Sequence, residues 1–330
     1  MAEIAPSTVV LQVSDLAVEF PTRQRNRTVK AVNGVSFDVY AGETFGVIGE
    51  SGSGKTTLGR ALVSLIAPTR GRLLLGGVDP ATLGKAALRK HRRDFQIMFQ
   101  DPNAALNPRM RIIDSVMEPL EVAGHRDRAM NRTSALQAMA RVGLPAEFAQ
   151  RYPHQLSGGQ KQRVIIARTL TLRPRLIVCD EVVAALDVSI RGEVLNLFAD
   201  LQREFGLAYV FITHDLSVVS HISDRIAVMY LGCLMELGPA DALAEHPLHP
   251  YTQALLSAEP IPMPPSMRRQ EPIELKGEIP SPVDPPSGCA FRTRCAFATE
   301  ICAAVRPVWE EHLPGHWVAC HHPLARTLDR

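Results

Sequence analysis

Short apolar segments alternate with longer amphipathic ones through most of this chain, which is the pattern of strands alternating with helices. Apolar or alternating runs predict strands at 8–20, 31–40, 44–48, 95–99, 176–179 and 208–213. Helical periodicity follows Lys55 and recurs over 157–170 and 189–205. Strands that alternate with helices in this way predict a parallel α/β sheet.

Two regions depart from this alternation. Residues 101–156 combine proline-marked turns with helical spacing, and Leu136, Met139 and Ala140 fit a short amphipathic helix closed by Gly143. Residues 259–288 hold a dense run of prolines, which predicts an extended, semi-rigid connector. The basic stretch 21–30 is interpreted as a solvated loop.

Composition narrows the class of protein. The chain has 330 residues, 46% hydrophobic and 21% charged, as expected for one large or two moderate globular domains. A net charge of +2 and 5% aromatics argue against a nucleic-acid partner. Since we find neither a bilayer-length apolar run nor a signal peptide, we expect a cytoplasmic location and six cysteines outside disulfides.

Residues 49–56 match the phosphate-loop pattern G-x-x-x-x-G-K-[ST] between a strand and a helix. Glycines let successive backbone N–H groups face one phosphate, and the helix adds its N-terminal dipole. Lys55 would meet the β- and γ-phosphates, and the Thr56 hydroxyl would ligate Mg²⁺. The complete match argues against the alternative, a glycine-rich turn without a ligand. The predicted ATP-binding residues here are Gly49, Glu50, Ser51, Gly52, Ser53, Gly54, Lys55, Thr56 and Thr57.

A second apolar strand delivers two carboxylates, Asp180 and Glu181, at its C-terminal end. Ligands of doubly wound sheets bind at that end. Asp180 is predicted to hold Mg²⁺ through water, and Glu181 is the candidate base for the attacking water. Cys179 beside them is interpreted as a small buried hydrophobe.

The segment Leu156-Ser157-Gly158-Gly159-Gln160 opens another helix, with Ser157 as its N-cap. Bare N–H groups at this point predict a second anion site in the same chain. One nucleotide cannot easily use both sites, whereas a head-to-tail homodimer or heterodimer would place each γ-phosphate between Lys55 of one chain and Ser157 of the other. The alternative is an ordinary capped helix.

The order along the chain is the phosphate loop, Gln100, the segment 156–160, Asp180-Glu181, Leu186-Asp187 and His214. This order resembles the nucleotide-binding domain of ATP-binding cassette (ABC) transporters over roughly residues 9–258. The resemblance implies a P-loop NTPase: a RecA-like core, an antiparallel β subdomain, a helical subdomain at about 101–160 and a small C-terminal extension over 259–330.

The resemblance also implies roles for single residues. Gln100 would sense the γ-phosphate and Mg²⁺, His214 would contact the γ-phosphate, and Leu186-Asp187 would cross the dimer interface. Phe20 would stack on adenine, with a core aromatic as the alternative at that position. Catalysis would therefore rest on Glu181, His214 and Gln100.

The chain departs from the family at Val182-Val183 and Ala184, where a proline, a Thr or Val, and a serine are usual. A lost serine hydroxyl removes at most one hydrogen bond across the interface, on the order of 0.5–1.5 kcal/mol. We expect this loss to modulate coupling between the two sites without abolishing hydrolysis.

The tail resembles the C-terminal extension of oligopeptide and dipeptide importer ATPases. The segments that carry this likeness are 249–256, 285–289, 294–295 and 316–321, together with 49–52 and 185–189 in the cassette. It implies an ATPase that energises import of di- or oligopeptides, bound peripherally to the cytoplasmic face of the bacterial inner membrane. The implied partners are a second ATP-binding subunit, identical or paralogous, two transmembrane permease subunits and a periplasmic solute-binding protein.

Other functions remain open at this point. Importers of nickel, glutathione or another small solute share the tail. A non-transport cassette ATPase acting on ribosomes or DNA is disfavoured by the single cassette and the short insertion. A regulatory module that holds ATP without turnover is disfavoured by Glu181, Gln100 and His214.

Four cysteines crowd into the tail: Cys289, Cys295, Cys302 and Cys320. In a reducing compartment such a group suggests an iron–sulfur cluster or zinc, with His321 and His322 as extra candidate ligands. None of the spacings is the tight C-x2-C of common zinc sites. A cysteine-containing core without metal is the equal alternative.

Overall fold

The computed structural model describes residues 8–22, 27–184, 186–258, 273–275 and 277–324. Its strands are β1 (Val9–Pro21), β2 (Thr28–Tyr40), β3 (Thr44–Ile48), β4 (Arg70–Leu75), β5 (Phe95–Met98), β6 (Leu176–Asp180), β7 (Ala208–Ile212), β8 (Arg225–Tyr230), β9 (Cys233–Pro239), β10 (Glu310–Leu313) and β11 (His316–Val318). Its α-helices are α1 (Lys55–Leu62), α2 (Lys85–His91), α3 (Pro102–Ala105), α4 (Ile112–Val122), α5 (Arg128–Arg141), α6 (Gly158–Leu170), α7 (Val188–Phe205), α8 (Leu216–Ile222), α9 (Ala240–Glu245), α10 (Pro250–Ser257) and α11 (Glu300–Ala304). Across these ranges, none of the helices combines the length and apolar character that crossing a bilayer requires.

The larger sheet has eight strands in the order β10-β11-β9-β8-β3-β7-β6-β5. Strands β8, β3, β7, β6 and β5 run parallel, which confirms the predicted parallel α/β sheet. Every residue of β3, β6 and β7 is buried, as continuous apolar strands must be when both faces of a sheet are covered. The C-terminal ends of these three neighbouring strands therefore meet at one edge.

A separate antiparallel sheet, in the order β2-β1-β4, covers one face of this core. Its apolar residues and those of β3 and α1 form one buried cluster, in which the rings of Phe37 and Phe45 stack 4.7 Å apart. Because Thr28–Tyr40 is one strand, the solvated loop predicted over 21–30 is too long. Residues 23–26 lie outside the described ranges.

Helices α3, α4 and α5 occupy the region predicted to be helical between the core strands. Val116, Met139 and Val164, from α4, α5 and α6, belong to one buried cluster that also includes residues of β6 and β7. The predicted short helix is present as α5, and Gly143 follows it in the left-handed conformation (φ 72°) that ends a helix.

The C-terminal extension continues the central sheet. Strand β11 pairs antiparallel with β9, Trp317 opposite Leu237 and Val318 opposite Glu236, and β10 completes a hairpin at the edge. Buried Glu236 accepts hydrogen bonds from the N–H groups of Leu248 and His249, and lies 2.7 Å from His316 Nε2. Sequence patterns had not indicated this pairing.

The proline connector is described only in part. Residues 259–272 and 276 lie outside the described ranges, and with them Pro260, Pro262, Pro264 and Pro265. The described prolines from Pro280 onward are in neither helix nor strand. There the Pro282 carbonyl accepts a hydrogen bond from the Lys30 N–H of β2, so this segment is held against the antiparallel sheet.

Candidate nucleotide site

The loop between β3 and α1 is shaped by glycines that no other residue could replace without displacement. Gly49 and Gly54 have φ values of 151° and 103°. A Cβ at Gly54 would lie 2.0 Å from the carbonyl oxygen of Ala31, and one at Gly49 would lie 2.1 Å from that of Met229. The loop is therefore pressed against β2 and β8, and its backbone has one available path.

Lys55 lies inside this loop. Its Nζ donates to the carbonyl oxygens of Gly49 (2.7 Å) and Glu50 (2.8 Å) and lies 3.4 Å from Ser53 Oγ. The side chain is buried, and burial lowers the pKa of Lys55 while the charges of Glu181, Asp180 and Glu50 oppose that shift. The result is a desolvated cation held inside the loop by the loop's own oxygens.

Asp180 ends β6 next to this cation. Thr56 Oγ1 donates to Asp180 Oδ1 at 3.2 Å, so the two residues predicted to hold Mg²⁺ are in direct contact. Burial raises the pKa of the Asp180 carboxyl, and the Thr56 hydrogen bond partly offsets this. A buried carboxylate beside a hydroxyl is a donor set that suits Mg²⁺, whose preferred ligands are oxygens.

Glu181 has a strained backbone, with a φ of 53° that is unusual for a residue other than glycine. Its N–H donates to the Ile212 carbonyl of β7 at 2.8 Å, which holds the turn in place. Oε1 of Glu181 lies 3.2 Å from Nδ1 of His214, which follows β7. The structure thus brings two of the three predicted catalytic residues, Glu181 and His214, together at one edge of the sheet.

The predicted signature segment begins α6. Ser157 is confirmed as the N-cap: its hydroxyl accepts from the Gln160 N–H, while Gln160 Oε1 accepts from the Ser157 N–H. Leu156 is buried, whereas Ser157 and Gly158 are exposed. Gly159 packs against Ile190, since a Cβ there would lie 2.7 Å from that side chain. An open helix N-terminus therefore faces outward on a rigid support.

The remaining predicted residues are placed as follows. Gln100 is exposed two residues beyond β5, and Phe20 is 39% exposed near the end of β1. Ser51 and Gly52 are exposed, Ser53 is buried and Thr57 is half-buried in the first turn of α1. Leu186 is buried and Asp187, the N-cap residue of α7, is exposed.

The residues that depart from the family pattern have a packing role. Val182 and Val183 are 3% and 2% exposed and belong to the cluster under the helical region. Ala184 donates its N–H to the Glu181 carbonyl at 3.1 Å and closes the turn. Cys179 is fully buried, as predicted, and burial raises the pKa of its thiol.

The four cysteines of the extension lie in one neighbourhood without forming a ligand group. Burial, with the adjacent Cys289, Cys295 and Cys302, raises the pKa of Cys320 to about 12. Cys289 and Cys302 are buried in an apolar cluster with Phe291. Among residues whose placement is described, no three His, Cys, Asp or Glu side chains are arranged to hold a metal ion.

Two residues near the loop were not predicted to belong to the site. Tyr251 and Arg294 both contact Glu50, although they lie 201 and 244 residues away in the chain. Neither stands in a motif of the loop: Tyr251 reaches it from α10, and Arg294 reaches it from the C-terminal extension.

The loop, the acidic strand end and the capped helix together define an ABC-type ATPase. A family model described as "ABC transporter" matches residues 32–184, and one described as "Oligopeptide/dipeptide transporter, C-terminal region" matches residues 235–302. The chain belongs to the ATP-binding proteins of ABC transporters, in the group that carries this C-terminal region.

Individual relatives agree. The oligopeptide transport ATP-binding protein AppF of Bacillus subtilis is 49% identical over 323 residues, 96% of this chain and 98% of AppF. A Brucella ovis protein provisionally named a peptide import ATP-binding protein is 49% identical, over 95% of this chain and 98% of its own. The dimeric post-hydrolysis structure of the ATP-binding cassette MJ0796, bound to ADP and Pi, superposes with a TM-score of 0.62 at 29% identity, over 70% of this chain and 98% of that chain.

We predict that Gly54→Ala will lower the free energy of unfolding by about 2–4 kcal/mol and abolish ATP binding, because the new methyl meets the Ala31 carbonyl at a strained φ. Gly52→Ala is the matched control. It has a similar positive φ (80°) but no atom within 4 Å of its Cβ, so a loss of about 1 kcal/mol is expected. Denaturant unfolding measures the free energy of unfolding of each variant, and calorimetric titration measures its ATP binding. Equal losses of unfolding free energy in the two variants would contradict the close approach of Gly54 to the Ala31 carbonyl.

Proposed function

We propose that this chain is the ATP-hydrolysing subunit that energises import of di- or oligopeptides across a bacterial inner membrane. One observation carries the chemistry: Lys55, Thr56, Asp180, Glu181 and His214 converge at the C-terminal edge of three neighbouring parallel strands. The peptide cargo is proposed from the tail's family match and from the names of AppF and the Brucella relative.

The loop residues would bind and orient ATP. Backbone N–H groups of the loop after Glu50 and the N-terminus of α1 would receive the β- and γ-phosphates, and Lys55 would neutralise charge there. Thr56 and Asp180 would hold Mg²⁺ with Gln100, and the ion supplies electrostatic stabilisation of the charge that develops on the phosphates. Phe20, half-exposed on β1, is the proposed contact for the adenine.

Glu181 would take the proton of the attacking water. The strained turn aims its carboxylate at the pocket, and His214, within hydrogen-bond distance, would orient that carboxylate and meet the γ-phosphate. Lys55 and Asp180 are buried beside this point, so their charges are screened less than those of exposed groups.

A second cassette, identical or paralogous, would complete the site. The exposed N-terminus of α6, residues 156–160, would receive the γ-phosphate bound by the partner's loop, and Leu186-Asp187 would line the interface. This arrangement is supported by the outward orientation of Ser157 and Gly158 and by the dimeric state of MJ0796. ATP would join the cassettes and hydrolysis would release them.

The same proposal covers organisation and location. Residues 9–258 would form the cassette, and residues 259–330 would form the extension. The helical subdomain at about 101–160 would pass the motion of the cassette to two permease subunits. A periplasmic solute-binding protein would deliver the cargo. The chain would lie on the cytoplasmic face of the membrane, bound to its permeases.

We predict that Glu181→Gln retains ATP binding and lowers kcat by about 100-fold or more, because the amide cannot accept the proton. ATP binding and steady-state phosphate release with the transport partners present measure the two effects. Asp180→Asn should instead weaken Mg²⁺-dependent binding. Normal turnover in Glu181→Gln would remove Glu181 from the role of base.

We predict that two inactive variants complement each other in a mixed dimer. Lys55→Ala removes the loop cation, and Gly158→Asp adds a repulsive charge to the signature helix at a position where the Cβ meets no atom within 4 Å. In the mixed dimer one site keeps both Lys55 and an unaltered signature, so about half the activity per dimer should return.

Differently tagged copies allow isolation of the mixed dimer. Mixed dimers without activity would contradict the shared site, and failure of the copies to pair with ATP would exclude an identical partner. The unmixed variants and the tagged wild-type dimer are the controls.

A metal at Cys289, Cys295, Cys302 and Cys320 stays a prediction that the geometry of the described residues does not support. The burial of Cys289 and Cys302 with Phe291 favours the metal-free core. Metal analysis and a visible spectrum of anaerobically purified protein should therefore find neither stoichiometric zinc nor iron. A stoichiometric metal, lost together with stability in Cys289→Ser, would establish the site instead.

A further inference from the structure

The C-terminal extension reaches into the phosphate loop through one ion pair. Arg294 donates from Nη1 to Glu50 Oε2 at 2.5 Å and from Nη2 to Glu50 Oε1 at 3.0 Å. The Arg294 side chain is 6% exposed and that of Glu50 is 24% exposed. Such a two-pronged, mostly buried pair fixes orientation as well as distance.

Glu50 is held at its backbone as well. Its N–H donates to the hydroxyl of Tyr251 at 2.9 Å, and its carbonyl accepts from Lys55 Nζ at 2.8 Å. The residue next to the first glycine of the loop is thus fixed by the extension, by α10 and by the phosphate-binding lysine. Arg294 and Lys55 thus contact the same residue, Arg294 at the carboxylate of Glu50 and Lys55 at its carbonyl oxygen.

The support behind Arg294 is rigid. The rings of Tyr230, Tyr251 and Phe291 pack with centroids 4.9–5.4 Å apart, and Tyr251 is fully buried. Pairing of β11 with β9 and the contact of His316 with Glu236 attach the extension a second time. Arg294 therefore holds Glu50 from a fixed position.

Nucleotide binding would change the balance of these contacts. The ammonium group of Lys55 has three donors, and it faces three loop acceptors, on Gly49, Glu50 and Ser53. To donate to a phosphate it would have to release at least one of them. The contacts of Arg294 and Tyr251 with Glu50 do not involve the lysine, so they would hold the loop when that happens.

We propose that Arg294 is a positioning residue of the ATP site, which holds the phosphate loop through Glu50 in the shape that binds ATP and makes the extension part of that site. This inference rests on the nucleotide site proposed above. Any event that detaches the extension would weaken ATP binding, and by linkage bound ATP would strengthen the extension's attachment.

The test compares full-length chains in the Glu181→Gln background, so that ATP is bound without turnover. We expect Arg294→Met to raise the Kd for Mg-ATP roughly tenfold, within the usual range for coupled sites. The Kd of Arg294→Lys should fall between those of the parent and of Arg294→Met, because lysine keeps the positive charge but cannot donate two parallel hydrogen bonds to the Glu50 carboxylate. Arg292→Met is the matched control, since the Arg292 side chain hydrogen-bonds, among the described residues, only to Ser287 of the extension. Its Kd should stay within about twofold of the parent.

A double-mutant cycle with Glu50→Gln separates positioning from general destabilisation. If Arg294 acts through Glu50, the two single losses in ATP affinity should not add in the double variant. Midpoints of thermal unfolding without nucleotide show whether each variant is folded. A lowered midpoint with a Kd equal to that of Arg292→Met would overturn the inference, as would full additivity.

Lys55→Ala distinguishes this inference from the function on which it rests. Loss of ATP binding in Lys55→Ala with an unchanged Kd in Arg294→Met would refute the positioning role alone. Unchanged binding in Lys55→Ala would refute the nucleotide site itself.

Discussion

The buried ammonium group of Lys55 is the constraint on which the rest of this structure depends. A cation that is 6% exposed has lost most of its water and must find oxygens in the protein. The carbonyls of Gly49 and Glu50 supply them, and they point inward only because glycines at both ends of the loop take conformations closed to other residues. The carboxylates of Asp180, which ends β6, and of Glu181, which follows it, oppose the remaining positive charge. The order of the strands, the shape of the loop and the positions of the carboxylates thus all contribute to stabilising the buried ammonium group of Lys55.

The same constraint explains the position of the chain's polar groups. Parallel strands bring Asp180 beside Thr56 and His214 beside Glu181. The residues proposed to bind Mg²⁺ and those proposed to activate water therefore lie at the same edge of the sheet. The α6 N-terminus is the exception. Its N-terminal residues Ser157 and Gly158 face outward, where we propose that they meet a nucleotide bound by another cassette. A chain with a complete phosphate loop is therefore proposed to hold one half of each of two sites.

Much of this arrangement could be predicted from the sequence, because it depends on short-range patterns. The loop residues 49–56, the carboxylates after an apolar strand and the Ser157 cap each lie within a single contiguous motif. Strand β4 and the strands β8 to β11 were missed. Strand β4 pairs with the distant β1, whereas β8–β9 and β10–β11 are hairpins between neighbouring strands, and their attachment to the sheet through β3 and β9 depends on the tertiary fold. The contact of Arg294 with Glu50 is of the same kind. No local signal pairs residues so far apart, and the cysteine spacing likewise could not indicate that Cys289 and Cys302 are buried against Phe291.

The central claim is that two cassettes enclose each ATP, and the mass of the Glu181→Gln chain in solution tests it most directly. Sedimentation in the presence of Mg-ATP should show a species of twice the chain mass, and Mg-ADP should leave the chain monomeric, because only ATP supplies the γ-phosphate that bridges Lys55 and Ser157. A chain that binds Mg-ATP with the site filled and remains a monomer, both alone and when mixed with a paralogous ATP-binding subunit, would contradict the account.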